Sequence, residues 1–258
     1  MFNLREDILA NRVILVTGAG DGIGKEAAVS FAEHGAQVIL LGRTIKKLEK
    51  VYDQICQIGA QEPAIVQLDL ETLDEATSEQ LKETIQDNCG KLDVLLHNAA
   101  ILGTRVPLEN YDSKEWASVI QTNLTSVFVL TKALLPLLKK SVDGRIIFTN
   151  SSVGKTPRAY WGAYSVSKFA LTGFAKILSE ELENTAKVVV TSVNPGATRT
   201  SMRRSAYPGE DPRKIKNVKT LMPLYLYLAG PDSRHEHGKE FSGNQQTWDW
   251  ANRIKGPR

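Results

Sequence analysis

Short runs of apolar and β-branched residues recur along the chain, separated by longer stretches that combine helix-forming residues with one apolar stripe. The short runs predict buried strands, and the longer stretches predict helices. The predicted strands cover residues 12–16, 38–41, 64–68, 92–97, 145–150 and 188–194. The predicted helices cover about residues 25–32, 45–58, 72–88, 113–138 and 162–183.

Strands that alternate with helices predict an α/β fold in three layers, a doubly wound parallel sheet covered by helices on both faces. Gly59 is expected to stop the second helix, and Pro136 to bend or end the fourth near its C-terminus. No internal repeat, linker or low-complexity tract interrupts the pattern. The 258 residues are therefore expected to form a single domain.

Composition narrows the class of protein. Hydrophobic residues make up 42% of the chain and charged residues 24%, which is ordinary for a globular protein. The net charge of +3 does not by itself indicate nucleic acid. Cys56 and Cys89 are expected to be reduced, and no metal-ligand spacing is present. No signal peptide or membrane span is readable, so the cytoplasm is the expected location.

The loop after the first predicted strand is rich in glycine. Residues 17–24 read Thr-Gly-Ala-Gly-Asp-Gly-Ile-Gly, with a strand before them and a helix after them. Glycines let backbone approach a ligand closely, and a helix N-terminus favours anions. This arrangement predicts a pyrophosphate site of Rossmann type rather than a structural turn, although the spacing differs from the common G-x-G-x-x-G.

A tyrosine and a lysine lie four residues apart in the last long helix. Tyr164 and Lys168 therefore share one helix face. A free phenol has a pKa near ~10, and a neighbouring ammonium is expected to lower it, which makes the phenol a usable general acid or base. Taken alone, the pair would be interpreted as a surface Tyr–Lys pair, and the rest of the chain favours the proton-transfer interpretation. Tyr160 has no lysine at the same spacing.

In a sheet of this kind, ligands bind at the carboxyl ends of the strands. Each of the six predicted strands is followed at this end by a polar residue or a glycine. In chain order these are Gly18, Arg43, Asp69, Asn98, Ser151 and Pro195-Gly196.

Seven motifs resemble those of the short-chain dehydrogenase/reductase family, from about residue 10 to about residue 230. They are Thr17-Gly18-x-x-x-Gly22-x-Gly24, Asp69-Leu70, Asn98-Ala99, Asn123, Ser151, Tyr164-x-x-x-Lys168, and Asn194-Pro195-Gly196 with Thr200. A resemblance to the bacterial YciK-type branch is carried by Ser151-Ser152-Val153-Gly154, Trp161-Gly162-Ala163-Tyr164 and Met222-Pro223-Leu224-Tyr225-Leu226. That branch has no defined substrate.

The resemblance implies hydride transfer between a nicotinamide cofactor and a carbonyl or alcohol substrate. The catalytic residues it implies are Ser151, Tyr164, Lys168 and Asn123. Ser151 is preferred to Ser152 because its offsets from Gly154 and Tyr164 match the family. Asn123 would hold a water that links Lys168 to solvent, although its residue type alone favours a helix-face amide. His97 and Ala100 depart from the family pattern, and His97 is interpreted as structural.

The cofactor contacts follow from the same resemblance. They are Gly18, Gly20, Asp21, Gly22, Ile23, Gly24, Arg43, Asp69, Leu70, Asn98, Ala99, Tyr164, Lys168, Pro195, Gly196, Thr198 and Thr200. The end of the second strand carries Arg43 and no acid, which favours the 2′-phosphate of NADP(H) over NAD(H). Asp21 argues against NADP(H). The alternative interpretation of Arg43 is that it is only a solvated loop residue.

Residues 199–222 are predicted to form a substrate lid. The segment carries seven basic and two acidic residues. Such a lid could steer an anionic substrate, for example an acyl thioester on a phosphate-bearing carrier, but a solvated face or a field for the cofactor phosphate is favoured.

Assembly and alternative functions remain open in the sequence. Family members pair through helices such as 113–138 and 162–183, which implies a homodimer or homotetramer. Trp248 and Trp250 stand in a polar tail of undefined contacts. The alternatives are an NADP-binding redox sensor or regulator without turnover, and a dehydratase or epimerase that uses the same Tyr–Lys pair.

Overall fold

The computed structural model describes residues 7–244. Its centre is one sheet of seven parallel strands in the order β3-β2-β1-β4-β5-β6-β7. The strands are β1 (Val13–Thr17), β2 (Gln37–Gly42), β3 (Ala64–Gln67), β4 (Val94–His97), β5 (Gly144–Thr149), β6 (Val188–Asn194) and β7 (Glu240–Ser242). The predicted α/β fold with a doubly wound parallel sheet is confirmed.

Eight α-helices connect and follow the strands within the described residues. They are α1 (Gly22–Glu33), α2 (Ile45–Gln57), α3 (Glu75–Cys89), α4 (Ser113–Ile120), α5 (Ser126–Lys140), α6 (Gly162–Leu182), α7 (Ser201–Ala206) and α8 (Met222–Ala229). Helices α1, α2 and α8 pack on one face of the sheet, and α3, α5 and α6 pack on the other. These are the three predicted layers.

The predicted helix at 113–138 differs from the prediction in two ways. One π-helical turn, Gln121–Thr125, separates α4 from α5. Pro136 does not end the helix, which runs on to Lys140. Pro136 lies close to the helix C-terminus, so its missing N–H removes a single late backbone bond. By length and composition residues 113–140 could cross a membrane, but much of the stretch is buried in the helix layer.

Three elements near the C-terminus were not predicted: α7, α8 and β7. Helix α8 is apolar on all sides and buried, so it shows no amphipathic period. Strand β7 has only three residues and is held by parallel pairing with β6. The predictions for Trp248 and Trp250 lie outside the described residues. The assignment of the whole chain to a single domain stays a prediction.

Candidate active site

A cleft of about 860 Å³ opens at the carboxyl edge of the sheet, beside the point where the strand order reverses between β1 and β4. Ligands of doubly wound sheets bind at this point. All the predicted site residues line the cleft except Gly24 and Asn123. The glycine loop, the end of β2 and the Tyr164–Lys168 pair thus face one space.

The glycine loop lies tightly against the loop after β4. Gly18 has a φ of +68°, and a Cβ there would lie 2.9 Å from the Cα of Ala99. A Cβ at Gly24 would lie 2.4 Å from the carbonyl oxygen of Gly18 and 2.5 Å from Nδ2 of Asn98. Gly24 therefore acts through close packing rather than by lining the cleft.

Thr17 joins β1 to the loop after β4. Its hydroxyl oxygen accepts hydrogen bonds from the backbone N–H of Asn98 at 2.9 Å and of Ala99 at 3.0 Å. The side-chain amide of Asn98 donates to the Thr17 carbonyl at 3.2 Å. These three bonds keep the two central loops of the cleft at a fixed separation.

Asp21 caps α1 and also contacts the predicted lid. Its carboxylate accepts hydrogen bonds from the Gly22 N–H, from Lys47 Nζ at 2.9 Å and from the Ser201 hydroxyl at 3.0 Å. Burial acts to raise the pKa of Asp21, but the bonds from Lys47 and Ser201 outweigh it and the pKa is lowered. The carboxylate that weighed against a 2′-phosphate is thus already paired.

Arg43 stands at the end of β2 with its side chain 63% exposed. Its guanidinium lies 3.9 Å from the carboxylate of Asp69, at the end of β3, and both residues line the cleft. Lys46 does not line the cleft, and Lys47 is engaged with Asp21. Among the basic residues 43, 46 and 47, Arg43 therefore carries the charge available to a ligand.

Ser151, Tyr164 and Lys168 meet where β5 ends and α6 begins. Tyr164 and Lys168 are buried, at 7% and 3% exposure. Lys168 Nζ donates to the Thr149 carbonyl at 2.9 Å and lies 5.7 Å from the centre of the Tyr164 ring. The geometry supplies a hydroxyl, a phenol and an ammonium around one point of the cleft.

The prediction that Lys168 lowers the pKa of Tyr164 is wrong for the chain without cofactor. Burial raises the pKa of Tyr164 to about 12, and the hydrogen bond with Ser151 lowers it only partly. Burial also lowers the pKa of Lys168 to about 8. The Lys168 ammonium is directed to Thr149, so desolvation of the phenol dominates.

Asn123 lies in the π-helical turn, is buried and does not line the cleft. Its Oδ1 accepts from the N–H of Ile101 at 2.8 Å, and its Nδ2 donates to the Ile101 carbonyl at 2.9 Å. Nδ2 also lies 3.1 Å from the hydroxyl of Ser167 on α6. The structure thus places Asn123 between the loop after β4 and helix α6.

His97 is buried beneath the site and is structural, as its strand-end position suggested. Its Nε2 lies 2.8 Å from the hydroxyl of Thr131, and its ring stacks on Phe148 at 5.2 Å. Burial, with a contribution from Lys168, lowers the pKa of His97 to about 3. The ring is therefore neutral at physiological pH.

The segment after β6 forms one side of the cleft. The Gly196 N–H donates to Asn194 Oδ1 at 3.1 Å, and the Thr198 hydroxyl donates to the Pro195 carbonyl at 3.2 Å. Thr200 caps α7 by accepting from the Arg203 N–H at 3.1 Å. The family signature at the end of β6 therefore sets the position of the first lid helix.

Several residues that line or border the cleft were not predicted as site residues. Thr122 lines it with a buried hydroxyl that has no hydrogen-bond partner within residues 7–244. Further residues border the cleft beside α7. They include Arg105, Arg158 and Trp161, together with Tyr207 of the predicted lid. No local spacing joins them, because they come from three separate loops.

Comparisons with known proteins agree with this geometry. The family model described as short chain dehydrogenase matches residues 12–211. The oxidoreductase YciK of Escherichia coli is 47% identical over 237 residues, which cover 92% of this chain and 93% of that protein. The E. coli 3-oxoacyl-[acyl-carrier-protein] reductase FabG is 34% identical over 194 residues, which cover 75% of this chain and 76% of FabG.

Solved structures show the same likeness. A short chain dehydrogenase from Shigella flexneri complexed with NADP matches with a TM-score of 0.91 and 46% identity, over 93% of this chain and 100% of that one. One from E. coli CFT073 complexed with NADPH has the same score and identity, over 94% and 100% of the two chains. This chain therefore belongs to the short-chain dehydrogenase/reductase family of oxidoreductases.

Proposed function

We propose that the protein is an NADP(H)-dependent oxidoreductase that moves hydride between the nicotinamide and a carbonyl or alcohol, with Tyr164 as general acid/base. One observation carries the proposal: the glycine loop, Arg43 and the Ser151–Tyr164–Lys168 group line a single cleft. The NADP- and NADPH-bound relatives support the choice of cofactor.

The residues present suit a dinucleotide. Gly18 brings backbone to the cleft surface in a conformation that a side chain would strain. Lys168 is a buried ammonium with no carboxylate in ion-pair distance within residues 7–244, so its remaining donors suit ribose hydroxyls.

Arg43 is the residue proposed to read the 2′-phosphate. A guanidinium binds a phosphate through two parallel N–H donors. The 3.9 Å separation from Asp69 leaves the pair weak and solvated, so a phosphate could replace that contact at little cost. Asp69 and Leu70 then remain to line the adenine side of the cleft.

When bound, NADPH supplies the hydride. With a pKa of about 12 in the chain alone, Tyr164 is protonated at neutral pH and can donate its proton to the developing alkoxide of a carbonyl substrate. The Ser151 hydroxyl holds the same oxygen and stabilises the charge that develops there. The Lys168 ammonium stabilises the phenolate that proton donation leaves on Tyr164. In the oxidative direction, Tyr164 takes the proton back.

Asn123 is proposed to act as a positioning residue. Both groups of its amide hold the backbone of Ile101, which lines the cleft. Its contact with Ser167 ties the same loop to α6, one residue before Lys168. Asn123 thus sets the separation of the loop after β4 from the proton-transfer helix.

The proposed partners are a small carbonyl or alcohol substrate and further copies of this chain, in the cytoplasm. Helices α5 and α6 expose four large apolar side chains. They are Phe128, Val166, Phe169 and Ile177. These helices cover the segments through which family members pair, so a homodimer or homotetramer is proposed.

Titration with NADPH and NADH, followed by calorimetry and thermal unfolding, tests the cofactor. We expect tighter binding of NADPH, and Arg43→Ala should weaken NADPH binding about 10-fold while leaving NADH unchanged. Lys46→Ala is the matched control, since it removes a neighbouring charge that does not line the cleft. Failure of both cofactors to bind would reject the oxidoreductase proposal.

A further inference from the structure

Part of the positive charge of the predicted lid is paired with acids. Arg203 makes a two-point ion pair with Glu210, at 2.6 and 2.7 Å. Arg213 pairs with Asp211 at 3.1 Å, and Lys219 lies 3.7 Å from Glu26. Three of the seven basic residues in 199–222 are thus paired within the lid or against α1, and Arg203, which lines the cleft, is one of them.

Two arginines from outside the lid contact lid residues. Arg105 follows β4; its guanidinium donates to the Ala206 carbonyl and lies 4.9 Å from the ring centre of Trp161 and 5.0 Å from that of Tyr207. Arg158 follows β5 and donates to the Tyr207 hydroxyl at 3.3 Å. Arg105 therefore holds α7 over the cleft, while Arg158 stands at its mouth.

Arg158 is the free charge at this end of the cleft. It is exposed, lines the cleft and has no carboxylate in ion-pair distance within residues 7–244. The acids that line the cleft, Asp21 and Asp69, belong to the glycine loop and the end of β3. A ligand that enters beside Arg158 thus meets a guanidinium and no opposing carboxylate.

Aromatic rings connect this guanidinium to the proton donor. The ring of Trp161 lies 5.8 Å from that of Tyr164 and 5.9 Å from that of Tyr207. Trp161 is buried, and Ala206 and Met202 pack in the same small cluster. A substrate whose carbonyl lies at Tyr164 would therefore contact apolar side chains between Tyr164 and Arg158.

We infer that the substrate is an oxo compound with an anionic group, a carboxylate or a phosphate, set several bonds from the carbonyl and bound by Arg158. The carbonyl lies at Tyr164 and Ser151, and the body of the molecule lies on Trp161 and Tyr207. This inference rests on the proposed oxidoreductase function and assigns the substrate end of the same cleft. Arg158 is a specificity residue, and Arg105 is a positioning residue.

The test compares matched neutral and anionic substrates. Straight-chain oxo acids of increasing length are assayed with NADPH beside their methyl esters, and phosphomonoester ketones beside the parent hydroxyketones. We expect the anionic member of one series to have a kcat/KM at least about 10-fold higher. Which series shows the preference tells a carboxylate from a phosphate.

Arg158→Gln should abolish that preference by raising KM for the anion, with little change in kcat/KM for the neutral partner. Arg204→Gln is the matched control, because Arg204 lies on lid helix α7 and is exposed but does not line the cleft. It removes an equal charge and should keep the preference. Equal loss in both variants would mean general steering and would overturn the assignment.

Binding provides a second measurement that does not need turnover. Oxo acids and phosphomonoester ketones are titrated calorimetrically into the NADP-loaded protein, with wild type and Arg158→Gln side by side. The inference is overturned if neither class binds wild type, or if Arg158→Gln binds both as tightly. A protein that fails to bind NADPH at all would instead reject the proposed function, so the two failures are distinguishable.

Discussion

At the scale of single residues, the site depends on how burial changes two titrating groups. Tyr164 and Lys168 sit four residues apart on α6, and both are removed from water. Burial opposes charge, so it raises the pKa of the phenol and lowers that of the ammonium. At neutral pH the phenol of Tyr164 in the chain alone is therefore protonated, which is the form that the proposed reductive step requires.

Tyr164→Phe tests the proton donor. The substitution removes one hydroxyl, so we expect reductase kcat to fall about 10²- to 10⁴-fold while NADPH affinity changes little. Tyr160→Phe is the control, since Tyr160 is more than half exposed. Steady-state kinetics with NADPH and cofactor titration measure the two effects. Retention of kcat in Tyr164→Phe would exclude the phenol as the acid.

Lys168→Met tests the cost of burying a charge. Burial moves the pKa of Lys168 from 10.5 to about 8, so at pH 7 the folded protein bears the penalty of a buried ammonium. We expect the variant to lose activity yet unfold with a free energy about 3 kcal/mol higher at pH 7.

The free energy of unfolding of wild type is expected to change with pH in one direction. Between pH 8 and 10.5 the unfolded chain holds a proton at Lys168 that the folded chain has released, so wild type gains stability as pH rises. The advantage of Lys168→Met should shrink over that range. Lys176→Met, on the exposed side of the same helix, is the control. Denaturant unfolding across pH measures both, and a constant difference would contradict the expectation.

At the scale of elements, close contacts between loops decide the shape of the cofactor cradle. Helix α1 approaches β1 and the loop after β4 so closely that position 24 has no room for a side chain. The π-helical turn places Asn123 against Ile101 and Ser167. Such turns are frequent at functional sites. Both features depend on contacts between elements far apart in sequence.

Gly24→Ala tests the approach of α1. Alanine favours a helix over glycine by about 1 kcal/mol, but the new Cβ would lie 2.4 Å from the backbone oxygen of Gly18. Overpacking against backbone costs about 1–3 kcal/mol, so we expect a net loss of stability and weaker NADPH binding. Gly209→Ala, where the added Cβ meets nothing within 4 Å, should be close to neutral. Thermal unfolding and NADPH titration compare the two variants.

At the scale of the whole molecule, the outer surface of the α3–α5–α6 layer exposes several large apolar side chains. Phe128 on α5 and Phe169 on α6 are 47% and 40% exposed, and Ile177 is 61% exposed. Positions 166, 169, 173 and 177 follow one helical stripe, and at Gly173 an added Cβ would meet open space. A contiguous apolar surface of this kind indicates an interface.

Phe169→Glu tests assembly. A carboxylate placed in an apolar interface without a partner costs several kcal/mol, so the variant should dissociate while wild type remains a dimer or tetramer. Val142→Glu is the control, because Val142 is 86% exposed and lies outside this surface. Sedimentation or light scattering gives the mass of each. A monomeric wild type, or an assembled Phe169→Glu, would contradict the proposed interface.

The sequence by itself determined the order of strands and helices, because local hydrophobic periods report burial. It also indicated the glycine loop, the Tyr164–Lys168 spacing and Arg43, since each is written in a few adjacent residues. It did not reveal β7, whose three residues are held by pairing with β6, or α8, whose burial on all sides removes any period.

Only the tertiary structure decided which charges meet the ligand. The sequence left open whether the basic lid steers an anion, although a solvated face was favoured, and in the fold Arg203 is paired with Glu210. Arg105 and Arg158 stand in separate loops, and the fold brings both to Tyr207. The raised pKa of Tyr164 likewise follows from burial rather than from its spacing to Lys168. The solvation and pairing of a charged side chain depend on neighbours distant in sequence, so the local sequence pattern does not predict them.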